Sequence, residues 1–510
     1  MDITPAFDVF ARNWRAGKPQ VVWTTLISDM ETPVSAMMKL GQGKPYSFLL
    51  ESIEGGAIRG RYSIIGREPD VIWRCREGKA EVNRAALQDA AAYAPSPRAP
   101  MDDLRALLAE CRIDDPAQPQ PMAAGLFGYL GYDMVRHVEN VPESPPSDLV
   151  VPEAVLVRPT LLAIFDQIEN IFTLVTPAWF DAQETAESAY AAAAARLERA
   201  LGDLKQPVPA AVYAQRADLA ATNSGPQSVT GNITESEFTS MVDRAKDYIR
   251  AGDIFQVVLS QRFRQPFTLP PFSLYRAIRR LDPSPFLFFF DFGDFSVVGT
   301  SPEILVRVRD GKVTIRPIAG TRWRGETREQ DEALERELLA DEKERAEHLM
   351  LLDLGRNDVG RVAEIGTVEV TERFIIERYS HVMHIVSNVE GRLDPSRDVI
   401  DALAAGFPAG TVSGAPKVRA MEIIDELELD KRGIYGGCIG YFGASGEMDT
   451  CIVLRTSVVK DGKMHVQAGG GVVYDSDPES ERPARRSSTR ARGRRGAPRG
   501  CAVRGRAMGR

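Results

Sequence analysis

Short apolar segments joined by tight turns dominate the second half of the chain, and they limit the folds that it can adopt. Five β-type runs occupy residues 254–263, 286–292, 295–299, 304–308 and 312–318. Asp310-Gly311, between the last two runs, has the composition of a hairpin turn. Strands joined by connections this short must be antiparallel. Because helical stretches interrupt these runs, we predict an α+β fold rather than a doubly wound parallel sheet.

Two helical stretches stand out in the same half. Thr234 to Glu237 has the pattern of a capping box, and the helix that it starts is expected to end near Gly252. Residues 326–356 have the longest continuous helical character, which predicts one long helix.

A loss of periodicity divides the chain into parts. Between residues 206 and 231, Pro, Ala, Ser, Thr, Asn and Gly replace the apolar pattern, as is typical of a linker. We therefore predict an N-terminal domain over residues 20–205, a linker over residues 206–231 and a second domain over residues 232–481.

Composition excludes several classes of protein. The chain has 510 residues, of which 44% are hydrophobic, so it can bury the cores of two or more domains. No window approaches the ~20 consecutive apolar residues of a membrane span, and the N-terminal segment lacks a signal-peptide pattern. Five scattered cysteines argue against a disulfide framework or a zinc site. These features predict a cytoplasmic protein with no membrane partner.

The net charge of −8 conceals an asymmetry. Residues 482–510 contain eleven arginines and no acidic residue, so residues 1–481 carry −19. A core of this sign has little reason to bind nucleic acid, whereas an arginine-rich tail can neutralise phosphates. The tail has no aromatic residues for base stacking, and its composition breaks abruptly from what precedes it. We therefore predict no nucleic-acid partner and interpret residues 482–510 as an aberrant segment, frameshifted or disordered.

Two carboxylates in the long predicted helix could hold a metal ion. Glu344 and Glu347 are three residues apart, so both leave the same helix face and offer the oxygen donors that suit Mg²⁺. Solvated surface charge is the plainer alternative for such a pair. A buried turn follows in the sequence from Leu349 to Leu354, which favours the metal-site interpretation.

Two small-residue segments could hold a carboxylate. Thr411 and Ser413 precede Pro416, which fits the first position of a helix whose N-terminus could bind an anion. Residues 467–471 end in three glycines and could form a backbone nest. A capped helix and an ordinary glycine-rich turn are the respective alternatives.

Four longer motifs together resemble the signature blocks of the chorismate-utilising enzymes. They are Pro317 to Arg322 (PIAGTR), Glu347 to Asp358 (EHLMLLDLGRND), Phe407 to Lys417 (FPAGTVSGAPK) and Gly433 to Gly437 (GIYGG). Motifs of this length in the right order are highly specific, and the resemblance runs from about residue 20 to Glu481. It implies antiparallel β-sheets packed as a sandwich with flanking helices.

Within this family the chain is most similar to the large subunits of anthranilate synthases, which aminate chorismate in tryptophan biosynthesis. Aminodeoxychorismate synthases commonly carry lysine at the position of Ala319. Isochorismate and salicylate synthases use a lysine base at the position of Gln256. A buried lysine can act as nucleophile or base, whereas alanine and glutamine leave ammonia as the attacking species. Aminodeoxychorismate synthase component I is the alternative assignment.

The resemblance also implies roles for individual residues. Glu303 matches the general acid that protonates the departing hydroxyl group, and His384 matches the histidine needed for elimination of pyruvate and aromatisation. The residues that match contacts to chorismate are Gly320, Thr321, Thr411, Tyr435, Arg455, Gly469, Gly470 and Gly471.

The cofactor implied by the resemblance is Mg²⁺. Glu347 matches one ligand of the metal, but the position of the second ligand is Ala484 in this chain. Glu344 and Glu481 match carboxylates that surround the metal ligands without being ligands themselves.

The resemblance further implies feedback inhibition by L-tryptophan. Two segments, which include Ser52 and the residues Pro285, Phe286 and Leu287, resemble those that form a tryptophan pocket. Ser52 would hydrogen-bond the amino acid, and the other three would enclose it. The implied protein partner is a glutamine amidotransferase subunit, in a heterotetramer.

One pattern favours a different class of enzyme. Residues 436–440 (GGCIG) fit the cysteine nucleophile elbow of a glutamine amidotransferase. That chemistry requires a histidine base and a carboxylate, yet His465 is the only histidine after Cys438 and has no nearby His-x-Glu pattern. The motif also continues into a predicted strand rather than a helix. We therefore predict that the glutaminase is a separate protein.

Overall fold

The structure is a computed structural model, and it describes residues 1–41, 43–54, 58–114, 119–142, 145–208, 229–281, 284–379 and 382–478. The arginine-rich segment 482–510, together with Glu481 and the position of Ala484, lies outside the described residues. So does most of the predicted linker.

Ten α-helices lie in the described part of the chain. They are α1 (Phe7–Arg15), α2 (Pro33–Leu40), α3 (Pro100–Glu110), α4 (Ala186–Leu204), α5 (Glu235–Ala251), α6 (Pro271–Leu281), α7 (Arg328–Ala340), α8 (Glu342–Gly360), α9 (Val399–Gly406) and α10 (Lys417–Leu427). Within those ranges, none of the helices combines the length and apolarity that crossing a membrane requires.

The strands outnumber the helices. Those before the predicted linker are β1 (Gln20–Ile27), β2 (Phe48–Glu54), β3 (Ile58–Arg76), β4 (Lys79–Asn83), β5 (Ala94–Pro95), β6 (Gly125–Leu130), β7 (Ala154–Asp166) and β8 (Ile171–Ala178). Those after it are β9 (Thr230–Gly231), β10 (Gln256–Pro266), β11 (Phe286–Asp291), β12 (Phe295–Ser301), β13 (Ile304–Arg309), β14 (Lys312–Ile315), β15 (Ile318–Trp323), β16 (Glu369–Arg378), β17 (Val382–Arg392), β18 (Gly414–Ala415), β19 (Cys438–Gly443), β20 (Met448–Ile452), β21 (Thr456–Lys460) and β22 (Lys463–Val472).

Every strand pairing described is antiparallel, which confirms the predicted α+β class. The long strands β3 and β7 pair with each other and belong to two layers of sheet. One layer continues through β2, β11, β12, β21, β22 and β10. The other continues from β7 through β6, β19, β20, β13, β14 and β17 to β16.

An aromatic core joins the two layers. Phe48 of β2 stacks on Phe127 of β6 with ring centroids 4.8 Å apart, and on Phe290 of β11 at 5.1 Å. All three side chains are buried. Side chains alternate between the two faces of a strand, so these buried rings show that the apolar faces of the two layers point toward each other, as in a sandwich. Helices α1, α2, α4 and α6 cover the outer face of the first layer.

Local sequence signals explain several element boundaries. The capping box at the start of α5 is present, since the Thr234 hydroxyl accepts from the Glu237 amide and the Glu237 carboxylate accepts from the Thr234 amide. The helix ends at Gly252, whose φ of +85° is left-handed. Both features confirm the predictions made from the sequence.

The prediction of one long helix over residues 326–356 was wrong. Two helices, α7 and α8, occupy this stretch and meet at Asp341, whose backbone is extended. The Asp341 carboxylate accepts hydrogen bonds from the amides of Lys343 and Glu344, so it caps α8 while it ends α7. The sequence pattern also gave no prediction of α1, α2 and α6.

Strands from both predicted domains are hydrogen-bonded to one another. Strand β2 pairs with β11, and β6 pairs with β19. An ion pair with a buried carboxylate reinforces the first contact: the Arg279 guanidinium of α6 donates to both carboxylate oxygens of Glu51, at 2.6 and 2.9 Å. The Tyr275 hydroxyl donates to the same carboxylate. The division into domains over residues 20–205 and 232–481 stays a prediction.

The Glu51 ion pair gives a stability prediction. Replacing Arg279 with methionine leaves the Glu51 carboxylate buried without its cation, and we expect the free energy of unfolding to fall by about 3–5 kcal/mol. Denaturant unfolding measures the change. The matched control is Arg15→Met, because Arg15 and Glu187 form an exposed pair worth less than about 1 kcal/mol. Equal losses in the two variants would contradict the prediction.

Candidate active site

His384 is held rigidly between two strands. In the pairing of β15 with β17, Thr321 lies opposite His384. The His384 Nδ1 atom lies 3.0 Å from the carbonyl oxygen of Gly320 and 3.1 Å from the Thr321 hydroxyl. A carbonyl can only accept, so this geometry places the proton on Nδ1 and makes Nε2 the basic atom of the neutral ring. The structure therefore brings together three residues that the sequence analysis singled out.

Gly320 also lets helix α8 approach the histidine. Its φ is +71°, at an irregularity in the strand pairing, and a Cβ atom there would lie 3.2 Å from Glu344 Oε2. Glu344 and Glu347 are half-buried on α8. The guanidinium of Arg322 lies 3.4 Å from Glu344 Oε1. The glycine is thus required both by its backbone conformation and by the carboxylate beside it.

The donor chemistry at this position fits Mg²⁺. This ion takes one or two carboxylates and completes its shell with water and substrate oxygens, so it does not need a dense cage of protein ligands. Among the described residues, no group of three or more His, Cys, Asp or Glu side chains is arranged to hold a metal. Glu347 is the described residue that matches a ligand, while Glu481 and Ala484 lie beyond the described ranges.

Glu303 is a buried carboxyl group between β12 and β13. Its residue is 6% exposed, and burial raises its pKa to about 8. The nearby Thr411 side chain and Ile318 backbone favour the carboxylate form and oppose this rise in the pKa, but burial is the larger effect. The group is therefore protonated at neutral pH and can donate a proton.

Tyr435 and Gly469 are in direct contact. A Cβ atom on Gly469 would lie 2.6 Å from the Tyr435 hydroxyl oxygen, and the Gly469 amide donates to that oxygen. Burial raises the pKa of Tyr435 to about 12, so its phenol stays protonated and can donate to an anion. Only glycine leaves room for the ring at this place.

The prediction of a glycine nest over residues 467–471 was wrong. These residues belong to β22 and pair with β10, with Gly469 opposite Ser260 and Gly471 opposite Val258. Strand hydrogen bonds extend the backbone through Gly469, Gly470 and Gly471, so it cannot curl into a turn. A Cβ atom on Gly471 would lie 2.6 Å from the Gln256 side-chain nitrogen, which explains why a strand carries a glycine there.

Gln256 lies beside this glycine strand with its side chain buried. The residue is 4% exposed, and its Oε1 atom has no hydrogen-bond partner in the described part of the protein. The Gln256 side-chain amide therefore has an unpaired acceptor at the position where, by the family resemblance, isochorismate synthases carry their lysine base. Ala319 is also buried, on β15.

The segment before α10 is arranged differently from the prediction. Helix α10 begins at Lys417, so Pro416 precedes the helix and is not its first residue. The Ser413 hydroxyl donates to the Ala409 carbonyl at 2.8 Å and is used within the segment. Thr411, in contrast, lies in a short 3-10 turn and faces Glu303.

Arg455 is an exposed residue whose charge acts on Tyr379, an aromatic residue beside the histidine. Its φ of +49° places it at a left-handed turn between β20 and β21. The Arg455 charge lowers the pKa of Tyr379, although burial of that phenol is the dominant effect and raises it. The rings of Tyr379 and His384 are 5.5 Å apart. Tyr379 was not among the predicted site residues.

The cysteine elbow is absent from the described structure. Cys438 is the first residue of β19 and is fully buried. Burial raises the pKa of its thiol to about 12, which opposes the thiolate that a nucleophile needs. A buried thiol at the start of a strand does not fit the accessible thiolate of a nucleophile elbow, and the separate glutaminase stays a prediction.

The two segments of the predicted tryptophan pocket are adjacent. Ser52 of β2 lies opposite Phe286 of β11 in the strand pairing. Ser52, Pro285, Phe286 and Leu287 all line one cavity of about 1100 Å³. Asp282 and Pro283, which precede the second of these segments, lie outside the described residues.

A buried ion pair beside Tyr435 was missed by the sequence analysis. Glu428 and Arg432 have side chains that are 5% and 1% exposed, and the Arg432 guanidinium donates to the Glu428 carboxylate at 2.6 and 3.0 Å. Their spacing of four residues, immediately before Gly433, was the available signal.

Comparisons with known proteins identify the family of this chain. A model of the chorismate binding enzymes matches residues 68–483. The chain is 58% identical over 476 residues to anthranilate synthase component 1 of Cereibacter sphaeroides, an alignment that covers 93% of this chain and 94% of that protein. It is 47% identical over 460 residues to the protein of the same name from Pseudomonas aeruginosa, with 89% and 91% covered.

Solved structures show the same likeness. Anthranilate synthase component I from Streptococcus pneumoniae TIGR4 superimposes with a TM-score of 0.73 at 37% identity, covering 89% of this chain and 96% of that chain. The menaquinone-specific isochorismate synthase of Escherichia coli superimposes with a TM-score of 0.68 at 19% identity, which shows a shared fold.

The matched region includes every described residue of the candidate site, from Gln256 to Gly471. The identities extend over nearly the whole length of the relatives as well, so the likeness is not confined to one part. The chain therefore belongs to the chorismate-binding enzyme family and, within it, to the anthranilate synthase component 1 proteins.

Proposed function

We propose that the chain converts chorismate and ammonia to anthranilate and pyruvate, as the large subunit of an anthranilate synthase. The observation that carries the proposal is Glu303, a buried carboxyl group whose raised pKa keeps it protonated at neutral pH. The 4-hydroxyl of chorismate is a poor leaving group, so its departure needs such an acid. The names of the relatives support the choice of reaction.

The chain's own residues would bind both carboxylates of chorismate. Tyr435 and Arg455 would hold the enolpyruvyl carboxylate, with the backbone of Gly469, Gly470 and Gly471 completing the site. A guanidinium suits a carboxylate because its planar donors match the two oxygens. Gly320, Thr321 and Thr411 would contact the rest of the substrate.

Two residues would then carry the proton transfers of the reaction, and their geometry supports these roles. As ammonia adds to C2, the two ring double bonds shift and the C4–O bond breaks, Glu303 gives its proton to the 4-hydroxyl, which leaves as water, and the new ammonium group releases one proton to become the amine. His384, with its Nδ1 proton held by the Gly320 carbonyl, presents Nε2 as the base for the later step. Removal of the C2 proton then expels pyruvate, with a proton added to its enol carbon, and leaves the aromatic amine.

Mg²⁺ would be held at the ring carboxylate by Glu347, with Glu344 and Arg322 beside it. When bound, the metal supplies Lewis-acid withdrawal of charge from the substrate carboxylate. Glu344 holds its position through the contact of its Oε1 atom with the Arg322 guanidinium, at 3.4 Å.

The side chains around the ring favour ammonia over other nucleophiles. Neither Ala319 nor Gln256 can act as a nucleophile or as a base that activates water. Ammonia needs no such activation. Aminodeoxychorismate synthase component I stays the alternative function, and Ala319 is the residue that argues against it.

The choice of nitrogen donor tests the proposal. We expect the purified chain with Mg²⁺ and chorismate to form anthranilate from ammonium salts, and to form none from glutamine. Addition of a glutamine amidotransferase subunit, with which the chain would form a heterotetramer, should restore glutamine use. Glutamine-dependent turnover by the isolated chain would contradict the need for a partner.

We further propose that L-tryptophan inhibits the enzyme at the cavity beside Ser52. A ligand that bridges β2 and β11 can shift an equilibrium only if it binds one arrangement better, so loss of a contact should weaken inhibition. We expect Ser52→Phe to raise the inhibitory tryptophan concentration at least ~10-fold with ammonia as donor. Unchanged inhibition would remove Ser52 from the site, and no inhibition of an active wild type would end the regulatory proposal.

The segment after Glu481 gives another prediction. Residue 484 is alanine where the family resemblance implies a second metal ligand. We expect replacement of residues 482–510 by the corresponding segment of the Cereibacter sphaeroides relative to raise Mg²⁺-dependent turnover at least ~10-fold, as for a restored metal contact. Equal turnover and equal Mg²⁺ dependence would show that another group serves as the second ligand.

A further inference from the structure

The buried pair Glu428 and Arg432 forms hydrogen bonds to two separate segments of the chain. The Arg432 guanidinium donates to the Val412 carbonyl and to the Val258 carbonyl, each at 2.6 Å. Glu428 accepts from the amide and the hydroxyl of Ser260, at 2.8 and 2.9 Å. The pair therefore connects the 3-10 turn at residues 410–412 with strand β10.

Each contact lies next to a residue proposed to bind chorismate. Val412 follows Thr411 in the 3-10 turn. Val258 and Ser260 pair with Gly471 and Gly469 across the strands.

The same guanidinium also lies near the ring of Tyr435, with 5.7 Å from its carbon to the ring centroid. Thus one side chain bonds to the turn that carries Thr411 and to the strand that pairs with the glycine strand, and it lies beside Tyr435. Arginine suits this position because its guanidinium carries five N–H donors in one fixed plane, which no other natural side chain does.

Stability alone does not account for this arrangement. Two buried charges lose their hydration, and a well-packed apolar pair is often as stable as a buried ion pair. What an apolar pair lacks is the ability to fix the Val258 and Val412 carbonyls at a set distance from each other. The pair therefore fixes the relative positions of the segments that carry or adjoin the proposed carboxylate-binding residues.

We propose that Arg432, held by Glu428, is a positioning residue that sets the affinity of the site for the enolpyruvyl carboxylate of chorismate. It acts through Tyr435, Thr411 and the glycine strand and does not touch the substrate itself. This inference rests on the proposed function, because it takes those residues as the carboxylate-binding end.

Two variants separate positioning from folding. Arg432→Met combined with Glu428→Leu removes both charges, so neither is left buried alone. Arg432→Lys keeps a cation opposite Glu428 but cannot bond both carbonyls and the carboxylate in one plane. We expect each variant to raise the KM and the calorimetric Kd for chorismate at least ~10-fold, while the KM for ammonia changes less than about twofold. The Tm of the double variant should fall, because the Val258 and Val412 carbonyls and the Ser260 amide lose their partners, so the Kd is measured well below that Tm.

The matched control is Arg158→Met, since Arg158 and Asp70 form another largely buried pair in the part of the chain before residue 205. It should lower the Tm and leave the Kd for chorismate unchanged. A Kd for chorismate equal to that of the wild type, in either folded Arg432 variant, would overturn the inference. If the double variant does not fold, the Kd of Arg432→Lys alone is the test. Failure of the wild type to make anthranilate would instead contradict the proposed function.

Discussion

Replacing Glu303 with glutamine is expected to lower kcat with ammonia as donor by about 10²- to 10⁴-fold, because the amide cannot give a proton to the departing hydroxyl. The wild-type kcat/KM should fall as the pH rises through about 8, where the buried carboxyl group loses its proton. The variant should lack that fall. Steady-state rates of anthranilate formation between pH 6 and about 9.5 measure both effects.

Stability should depend on pH with a defined sign at the same residue. The pKa of Glu303 is about 8 in the folded protein, compared with an ordinary value of 4.5. The unfolded chain therefore releases this proton first, and the stability that the protonated group confers is lost as the pH rises from 4.5 through about 8. Glu303→Gln should gain stability relative to the wild type across that interval.

Glu447→Gln is the matched control for both measurements. Glu447 is a half-buried carboxyl group whose pKa is also raised by burial, but it lies in the turn between β19 and β20. Its variant should keep kcat within about twofold and keep the alkaline fall of kcat/KM. A similar loss of kcat in the two variants, or an alkaline fall that persists in Glu303→Gln, would contradict the role of Glu303.

Replacing Glu347 with glutamine is expected to weaken Mg²⁺ binding at least ~100-fold, beyond the ~10- to 100-fold typical of a residue that only supports a ligand. The neutral amide offers the metal a weaker oxygen donor and no charge. Calorimetric titration of Mg²⁺ in the presence of chorismate measures the affinity directly, without reliance on turnover.

Glu344→Gln is the matched comparison on the same helix face. Because Glu344 is paired with Arg322 and packs beside Gly320, we expect its variant to weaken Mg²⁺ binding by no more than ~100-fold. A larger loss in Glu344→Gln than in Glu347→Gln would reverse the assigned roles. Equal and small losses would place the metal elsewhere.

Features set by local sequence could be predicted. The capping box at Thr234 and the left-handed end at Gly252 depend on residues within the same helix and its first turn. The hairpin at Asp310-Gly311 has both residues at positive φ, as the turn composition indicated. The antiparallel class followed from short connections, which leave little freedom of direction.

Features set by contacts between residues far apart in the sequence could not be predicted. The glycine strand of β22 has the composition of a turn, and only Tyr435 and Gln256, packed against it, explain its glycines. Helix α6 contacts Glu51, which is 228 residues away from Arg279. The break at Asp341 was a local signal, but strong helix formers on both sides of it concealed the cap.

The candidate site divides in the same way. The family resemblance identified Glu303, His384 and Tyr435, and the structure brings each next to another residue of the predicted set. No motif marked Arg432 as a site residue, because a charged residue that follows a helix is usually exposed to solvent. Its burial and its bonds to two carbonyls emerge only in the folded chain.

The product made from isotopically labelled ammonia tests the central claim most directly. The chain is incubated with chorismate, Mg²⁺ and ¹⁵N-ammonium, and the products are identified by mass spectrometry and NMR. The account predicts anthranilate that carries one ¹⁵N atom, together with an equal amount of pyruvate. Formation of 4-amino-4-deoxychorismate or of isochorismate as the sole product would contradict it.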